Sequence, residues 1–136
     1  MTMDQLFTTA ARIGEQLKAR RETVAVAESA AGGLISAALL GLRREDVRGF
    51  MSATEPFALL MAETIRKQHS VTWGIGETGA AGPNGNPYGH AAGHDVVAVS
   101  GPVQAARTIA TESSDRQANM VAFAAAALEL LEQQLG

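Results

Sequence analysis

Residues 73–93 read WGIGETGAAGPNGNPYGHAAG and constrain this chain more than any other stretch. Seven of the 14 glycines and two of the four prolines fall here. A run so rich in Gly, Asn and Pro suits neither a helix interior nor a central strand. Apolar runs at 71–75 and 95–100 flank it and read as strands. A loop longer than about 12–15 residues in a compact domain is usually functional or disordered. The small number of charges and the bracketing strands argue for an ordered loop that serves a site.

Composition narrows what such a site serves. With 136 residues, the chain is expected to form one domain spanning 1–136, and a hydrophobic content of 46% sustains a packed core. A net charge of -3 and a pI near 5.6 give the surface no pull toward nucleic acid or an anionic membrane. The absence of cysteine excludes disulfides, thiolate zinc sites and cysteine nucleophiles. No apolar run approaches the length of a membrane span. The opening MTMDQLFTTAARIGEQL carries an early Asp and no long apolar core, so it does not read as a signal peptide. A cytoplasmic protein is the expectation.

Taken in order, residues 4–20 follow a helical period, with Leu6, Ala10, Ile13 and Leu17 on one stripe and Thr2 or Asp4 as cap. Residues 23–27 (TVAVA) suit a buried strand. Small residues and glycines follow at 28–33, and LISAALL after them looks helical. Residues 41–51 are polar and break the pattern. Ser52 or Thr54 caps the next helix, Pro56 sits in its first turn, and it runs to about His69 with Leu59, Leu60, Ala62 and Ile65 inward. Strands follow at 71–75, 95–100 and 103–111, the last two separated by Gly101-Pro102. A final helix runs from Ser113-Ser114-Asp115 to about Leu135, its buried side marked by Met120, Ala124, Leu128, Leu131 and Leu135. This order predicts an α/β layered domain, with parallel pairing where helices intervene and antiparallel pairing near the end.

Several constellations carry candidate chemistry. Glu28-Ser29-Ala30-Ala31-Gly32-Gly33 joins a strand to a helix, where small side chains let an anion approach unpaired N–H groups. The same letters also describe a tight turn with Ser29 as N-cap. Gly74-Ile75-Gly76-Glu77-Thr78-Gly79 matches the dinucleotide pattern G-x-G-x-x-G. That motif requires a helix to begin there, and AAGPNGNPYG does not begin one, so a dinucleotide site is not expected. His90 and His94 are four apart, but Gly89 and Gly93 leave no helix to fix them on one face. Hydrogen-bonding loop histidines, with no metal, are the expectation. Glu28 and Glu77 each follow a strand, and a parallel sheet gathers such ends at one edge. The pair suits acid–base work or the orientation of backbone N–H groups. Arg116, at the start of the last helix, either pairs with Asp115 or reaches a ligand phosphate.

These residues also carry a family resemblance. Glu28-Ser29-Ala30-Ala31-Gly32-Gly33 resembles the Glu-Ser-(Cys/Ser)-Thr-Gly-Gly motif of the CinA C-terminal domain family of nicotinamide-nucleotide amidohydrolases. Gly79-Ala80-Ala81-Gly82-Pro83-Asn84-Gly85 resembles its Gly-Ile-Ala-Gly-Pro-(Asp/Asn)-Gly. Gly93, Val96–Val99 and Ser114-Asp115-Arg116 follow in the family's order. The resemblance implies an α/β fold of the three-layer α/β/α sandwich type on a mixed, mostly parallel sheet, often oligomeric, so a homo-oligomer is expected. It also implies a small-molecule nucleotide partner, no cofactor, and conversion of nicotinamide mononucleotide to nicotinic acid mononucleotide and ammonia. Substrate contacts would fall to Glu28, Ala31, Gly32, Gly33, Glu77, Thr78, Gly79, Gly82, Pro83, Asn84, Gly85, Asn86 and Arg116.

The family's mechanism uses a serine nucleophile activated by a lysine and a tyrosine, with loop N–H groups on the oxyanion. Here the chain passes from Leu39-Leu40 directly to Gly41-Leu42-Arg43-Arg44, without the family's Pro-Gly-(Ser/Ala)-Ser and the Tyr-containing segment after it. Its only lysines are Lys18 and Lys67, and its only tyrosine is Tyr88. Ala31 stands where the family has threonine. Ser29 is then the catalytic candidate. Three functions remain open: an amidohydrolase, a non-catalytic nucleotide- or phosphate-binding module, and an oligomerisation scaffold.

Overall fold

A computed structural model of the chain describes residues 2–29, 53–87 and 89–136. The expected helix over LISAALL and the polar break at 41–51 lie outside them.

Helix α1 (Met3–Arg20) opens with a capping box, in which the Thr2 hydroxyl accepts from the Gln5 N–H and the Gln5 side chain accepts from the Thr2 N–H. It ends at Arg21 in the left-handed region, whose N–H returns to the Lys18 carbonyl while the Glu22 N–H returns to that of Leu17. Strand β1 (Val24–Ser29) follows. Helix α2 (Glu55–His69) carries Pro56 in its first turn, as the sequence predicts. Strands β2 (Trp73–Gly79), β3 (His94–Ser100) and β4 (Gln104–Ala110) lead to helix α3 (Arg116–Leu135), capped by Asp115 through the Ala118 N–H.

The sheet order is β1-β2-β3-β4. β1 and β2 pair in parallel, whereas β2–β3 and β3–β4 are antiparallel. The sheet is therefore mixed, and the expected antiparallel pairing near the end is present. Among the described strands, however, antiparallel pairs outnumber parallel ones. The reason is connection length, since the loop at 80–93 and the turn at 101–103 contain no crossover helix and return the chain beside itself.

Helices cover both faces and make three layers. On one side, Ile13 and Leu17 of α1 and Leu130, Leu131 and Leu135 of α3 bury Trp73, Ile75, Val97 and Val99. Arg12 of α1 forks onto Glu132 of α3 at 2.6 and 3.0 Å, and this bond holds the Glu132 carboxyl below the usual carboxylate range. On the other side, Phe57, Met61 and Ile65 of α2 pack on Ala27, while Ala58 and Ala62 meet Val96 and Ala98.

Two details of phase differ from the sequence reading. The inward line of α2 is Phe57, Ala58, Met61, Ala62 and Ile65, with Leu59 and Leu60 only partly buried. Met120 of α3 is 54% exposed, and Asn119 takes the inward position instead. Both shifts follow from what the helices face. α2 presents its smallest residues to the sheet, and the first turn of α3 presents an amide to the loop at 80–93.

Strand β2 also runs further than expected, through Gly79, so the GIGETG sequence is strand rather than loop. A Cβ at Gly74 would run into the Ala62 carbonyl oxygen, and one at Gly76 into that of Ala58. The two glycines let α2 lie directly on the strand. Gly76→Ala is accordingly expected to overpack this contact and cost about 1–3 kcal/mol in urea denaturation. Gly14→Ala in α1, where no described atom lies within 4 Å of the added methyl, is expected to stabilise the fold by about 0.5–1 kcal/mol in the same measurement.

Candidate ligand cradle

The site is set by register. At the start of the parallel pair, the Thr23 N–H donates to the Thr72 hydroxyl at 3.2 Å, the Thr72 N–H donates to the Thr23 hydroxyl at 3.3 Å, and the Trp73 N–H donates to the Thr23 carbonyl. This clamp fixes every later partner. Four residues on from Val24 and Trp73, Glu28 stands opposite Glu77, and Ser29 opposite Thr78 follows. The carboxyl ends of β1 and β2 thus lie side by side, as the parallel-sheet argument requires. Glu77 is half-buried and Thr78 is buried. Ala31, Gly32, Gly33 and Tyr88 lie outside the described residues.

The second half of the cradle is the loop from Ala80 to Gly93. Its base is closed by two backbone bonds, Ala80 N–H to the His94 carbonyl and Gly93 N–H to the Ala80 carbonyl. Gly79 is required there because a Cβ would strike the His94 carbonyl and the carboxylate of Asp95, a fully buried residue. Gly82 has a φ of 105° and a Cβ on it would lie 2.8 Å from the Ser114 carbonyl oxygen, so the loop turns where only glycine is comfortable. Pro83, Asn84 and Gly85 form the exposed tip.

Helix α3 holds this loop from below. Asn119 is 1% exposed and donates from Nδ2 to the carbonyls of Ala81 and Ser113, both at 2.8 Å. Its Oδ1 accepts from the Thr111 hydroxyl at 2.5 Å. Arg116 donates from Nη1 to the Gly82 carbonyl at 2.9 Å, and Asp115 is engaged as the helix cap. Arg116 therefore binds the loop backbone, while the surface pair with Asp115, one of the two alternatives left open by the sequence, is not seen among the described residues.

At the far end, Asn86 and His90 bind each other three times. The Asn86 N–H donates to the His90 carbonyl, the His90 N–H donates to Asn86 Oδ1, and Asn86 Nδ2 stands 2.9 Å from His90 Nδ1. The His90 ring stacks on His94 with centroids 3.8 Å apart and an interplanar angle of 5°. His94 Nε2 lies 3.0 Å from the Ala53 carbonyl. Burial, and secondarily the neighbouring His94, lower the His90 pKa below its ordinary value. Stacked rings direct their in-plane lone pairs in parallel rather than toward one ion. Among the described residues no cluster of three or more His, Asp or Glu is arranged to hold a metal. Both lysines lie on helices, with Lys18 beside Glu15 and Lys67 bonded to Glu63 at 3.0 Å.

Two residues of this arrangement escaped the sequence reading, Asn119 and Thr111. The available signal was propensity. An Asn within the first turns of an Ala-rich helix is unfavourable unless its amide has work to do there.

The fold and loops define a three-layer α/β/α domain in which a glycine-rich loop leads out of the carboxyl end of β2, beside that of its parallel neighbour β1. The family model of the CinA C-terminal domain matches residues 6–42 and 37–135, and the chain belongs to that family. A CinA-like protein of Nostoc sp. is 30% identical over 66% of this chain and 27% of its own length. A CinA-like protein of Salinibacter ruber is 31% identical over 90% of this chain and 36% of its own length. The chain thus spans about a quarter to a third of these relatives. The Salinibacter alignment covers 147 positions, more than the 136 residues available here, so that relative carries residues with no counterpart in this chain. The two pieces matched by the family model meet at 37–42, across the Leu40–Gly41 join. Among solved structures, a competence or damage-inducible protein from Enterobacter asburiae superposes with a TM-score of 0.83 at 23% identity, covering 96% of this chain and 98% of that one. Protein CihA from Agrobacterium tumefaciens gives 0.81 at 21% identity, with 94% of each chain covered. Among the described residues, no helix is long and apolar enough to cross a membrane.

Asn119→Ala is expected to leave the Ala81 and Ser113 carbonyls unsatisfied and to lower stability by about 1–3 kcal/mol. Hydrogen exchange is expected to locate the damage, with the Ala80 and Gly93 amides losing protection before those in the centre of β3.

Proposed function

We propose that the recess between the ends of β1 and β2 and the loop at 80–93 binds a pyridine mononucleotide, and that the chain acts on it as a nicotinamide mononucleotide amidohydrolase. The observation that carries this reading is the meeting of the two family motifs. The register sets Glu28 beside Glu77, and β2 leads from Glu77 into the loop whose Ala81 and Gly82 carbonyls are held by Asn119 and Arg116. Backbone N–H groups of the Gly32-Gly33 stretch, which the sequence reads as a strand-to-helix turn, would take the phosphate. Ser29, paired with Thr78 at the end of β1, is the candidate nucleophile.

A second reading rests on a separate observation. The alignment with the Salinibacter relative is longer than this chain and the family model matches in two pieces that overlap at 37–42, which supports a shortened segment where the resemblance puts the nucleophilic serine and its tyrosine and lysine. In that reading the recess binds the nucleotide without hydrolysing it. Acting as a small-molecule binder and assembling as a homo-oligomer are compatible with either reading.

One pair of measurements separates these readings. Ammonia release from nicotinamide mononucleotide above the background of a mock-purified sample supports the amidohydrolase. Saturable calorimetric binding without ammonia release supports the binding module, and the absence of both removes both. Gly82→Val, which forces a side chain against Ser114 and Ala92 at a positive φ, is expected to weaken nucleotide binding at least about tenfold.

A further inference from the structure

The bonds between Asn86 and His90 have a direction that depends on a proton. The His90 backbone N–H donates to Asn86 Oδ1 at 3.1 Å, which fixes the amide so that Nδ2 faces the imidazole. Nδ2 is a donor only, so His90 Nδ1 must accept and must be unprotonated. Turning the amide over would set its NH2 against the His90 N–H and break the other bond. The stack imposes a second condition. With His94 Nε2 on the Ala53 carbonyl, that ring is held in place, and a charge on each ring would set two cations 3.8 Å apart.

From β3, His94 is the titratable group that faces His90. Asp95 alternates to the other side of the sheet and lies over Gly79. The segment before α2 presents the Ala53 carbonyl, to His94. Within the loop the facing group is the neutral Asn86, and Arg116 is bound at Gly82. Among the described residues, no carboxylate stands against the His90 ring to compensate a positive charge on it.

We infer that Asn86, His90 and His94 form a proton-operated latch on the loop half of the cradle, closed while His90 is neutral and released when its Nδ1 is protonated. The lowered pKa of His90 has the matching sign. A group that takes its proton less readily in the closed state takes it more readily in the open one, so proton uptake favours opening. Closure is complete above the ordinary histidine range near pH 6.5 and is lost as the pH falls through the lower, closed-state value. The inference concerns the loop itself and does not depend on the identity of a ligand.

Nuclear magnetic resonance of the intact chain tests it without any ligand. Above pH 7, the His90 ring is expected in the tautomer protonated at Nε2, with an unprotonated Nδ1. Between about pH 7.5 and pH 5, protection factors of the Asn86 and His90 amides are expected to fall about threefold or more, with a midpoint below pH 6.5. His90→Gln offers an acceptor that does not titrate and is expected to flatten this dependence. Amide protection independent of pH, a His90 ring already protonated at Nδ1 above pH 7, or full pH dependence retained in H90Q would each overturn the latch. Failure to bind a mononucleotide would count against the proposed function and leave these readouts unchanged.

Discussion

The close approach of α2 to β2 is the contact on which the rest of this structure depends. Gly74 and Gly76 present bare backbone to the helix, and Ala58 and Ala62 present the smallest side chains that still exclude water. A larger residue on either side would lift the helix off the sheet. Because the helix lies low, Phe57 and Met61 can reach past the strand to Ala27, so one helix covers both β1 and β2. The parallel pair that carries Glu28 and Glu77 is thereby held flat under a single lid of side chains, while Trp73 and Ile75 anchor the opposite face against α1 and α3.

The loop at 80–93 is held by different means. Its carbonyls are claimed by Asn119 and Arg116 at the start of α3, and its N–H groups are used at its base by His94 and Ala80. A buried amide making three hydrogen bonds gives a long glycine-rich segment one conformation without apolar packing. Asn119 also joins the loop to the Thr111–Ser113 segment that leads out of β4. Movement of the loop would therefore be felt at the first turn of α3 before it reached the sheet.

The layers, the element order and the pairing directions near the end were legible because they rest on hydrophobic period and on glycine and proline punctuation. The neighbourhood of Glu28 and Glu77 was legible for a topological reason, since parallel strands must place their carboxyl ends together. The phase of α3 was not. A search for large apolar residues at helical spacing selects Met120, whereas the helix turns Asn119 inward to meet backbone oxygens that no periodicity reports. The extent of β2 was hidden for a related reason. Glycine weakens a strand in isolation, and only the helix lying against it explains why a GIGETG sequence stays extended. The same letters that spell a phosphate-binding pattern serve here to remove side chains from a helix–sheet contact.

The elements that shape the cradle are separate from those that would do chemistry in it. The Thr23–Thr72 clamp sets the register, the β2 glycines set how closely α2 lies on the sheet, and Asn119 and Arg116 set the loop. None of these is a nucleophile or a base. A family built in this way can lose or relocate its reacting groups while the scaffold keeps its form, because the α2–β2 contact, the opposite core and the bonds of Asn119 are made by other side chains. The likeness of this chain to solved structures at TM-scores above 0.8 and identities near 20% fits that separation, since backbone geometry persists where most side chains have changed. The chemistry must therefore be argued from Ser29, Glu28 and Glu77 themselves, and the scaffold accounts only for their being brought to one edge of the sheet.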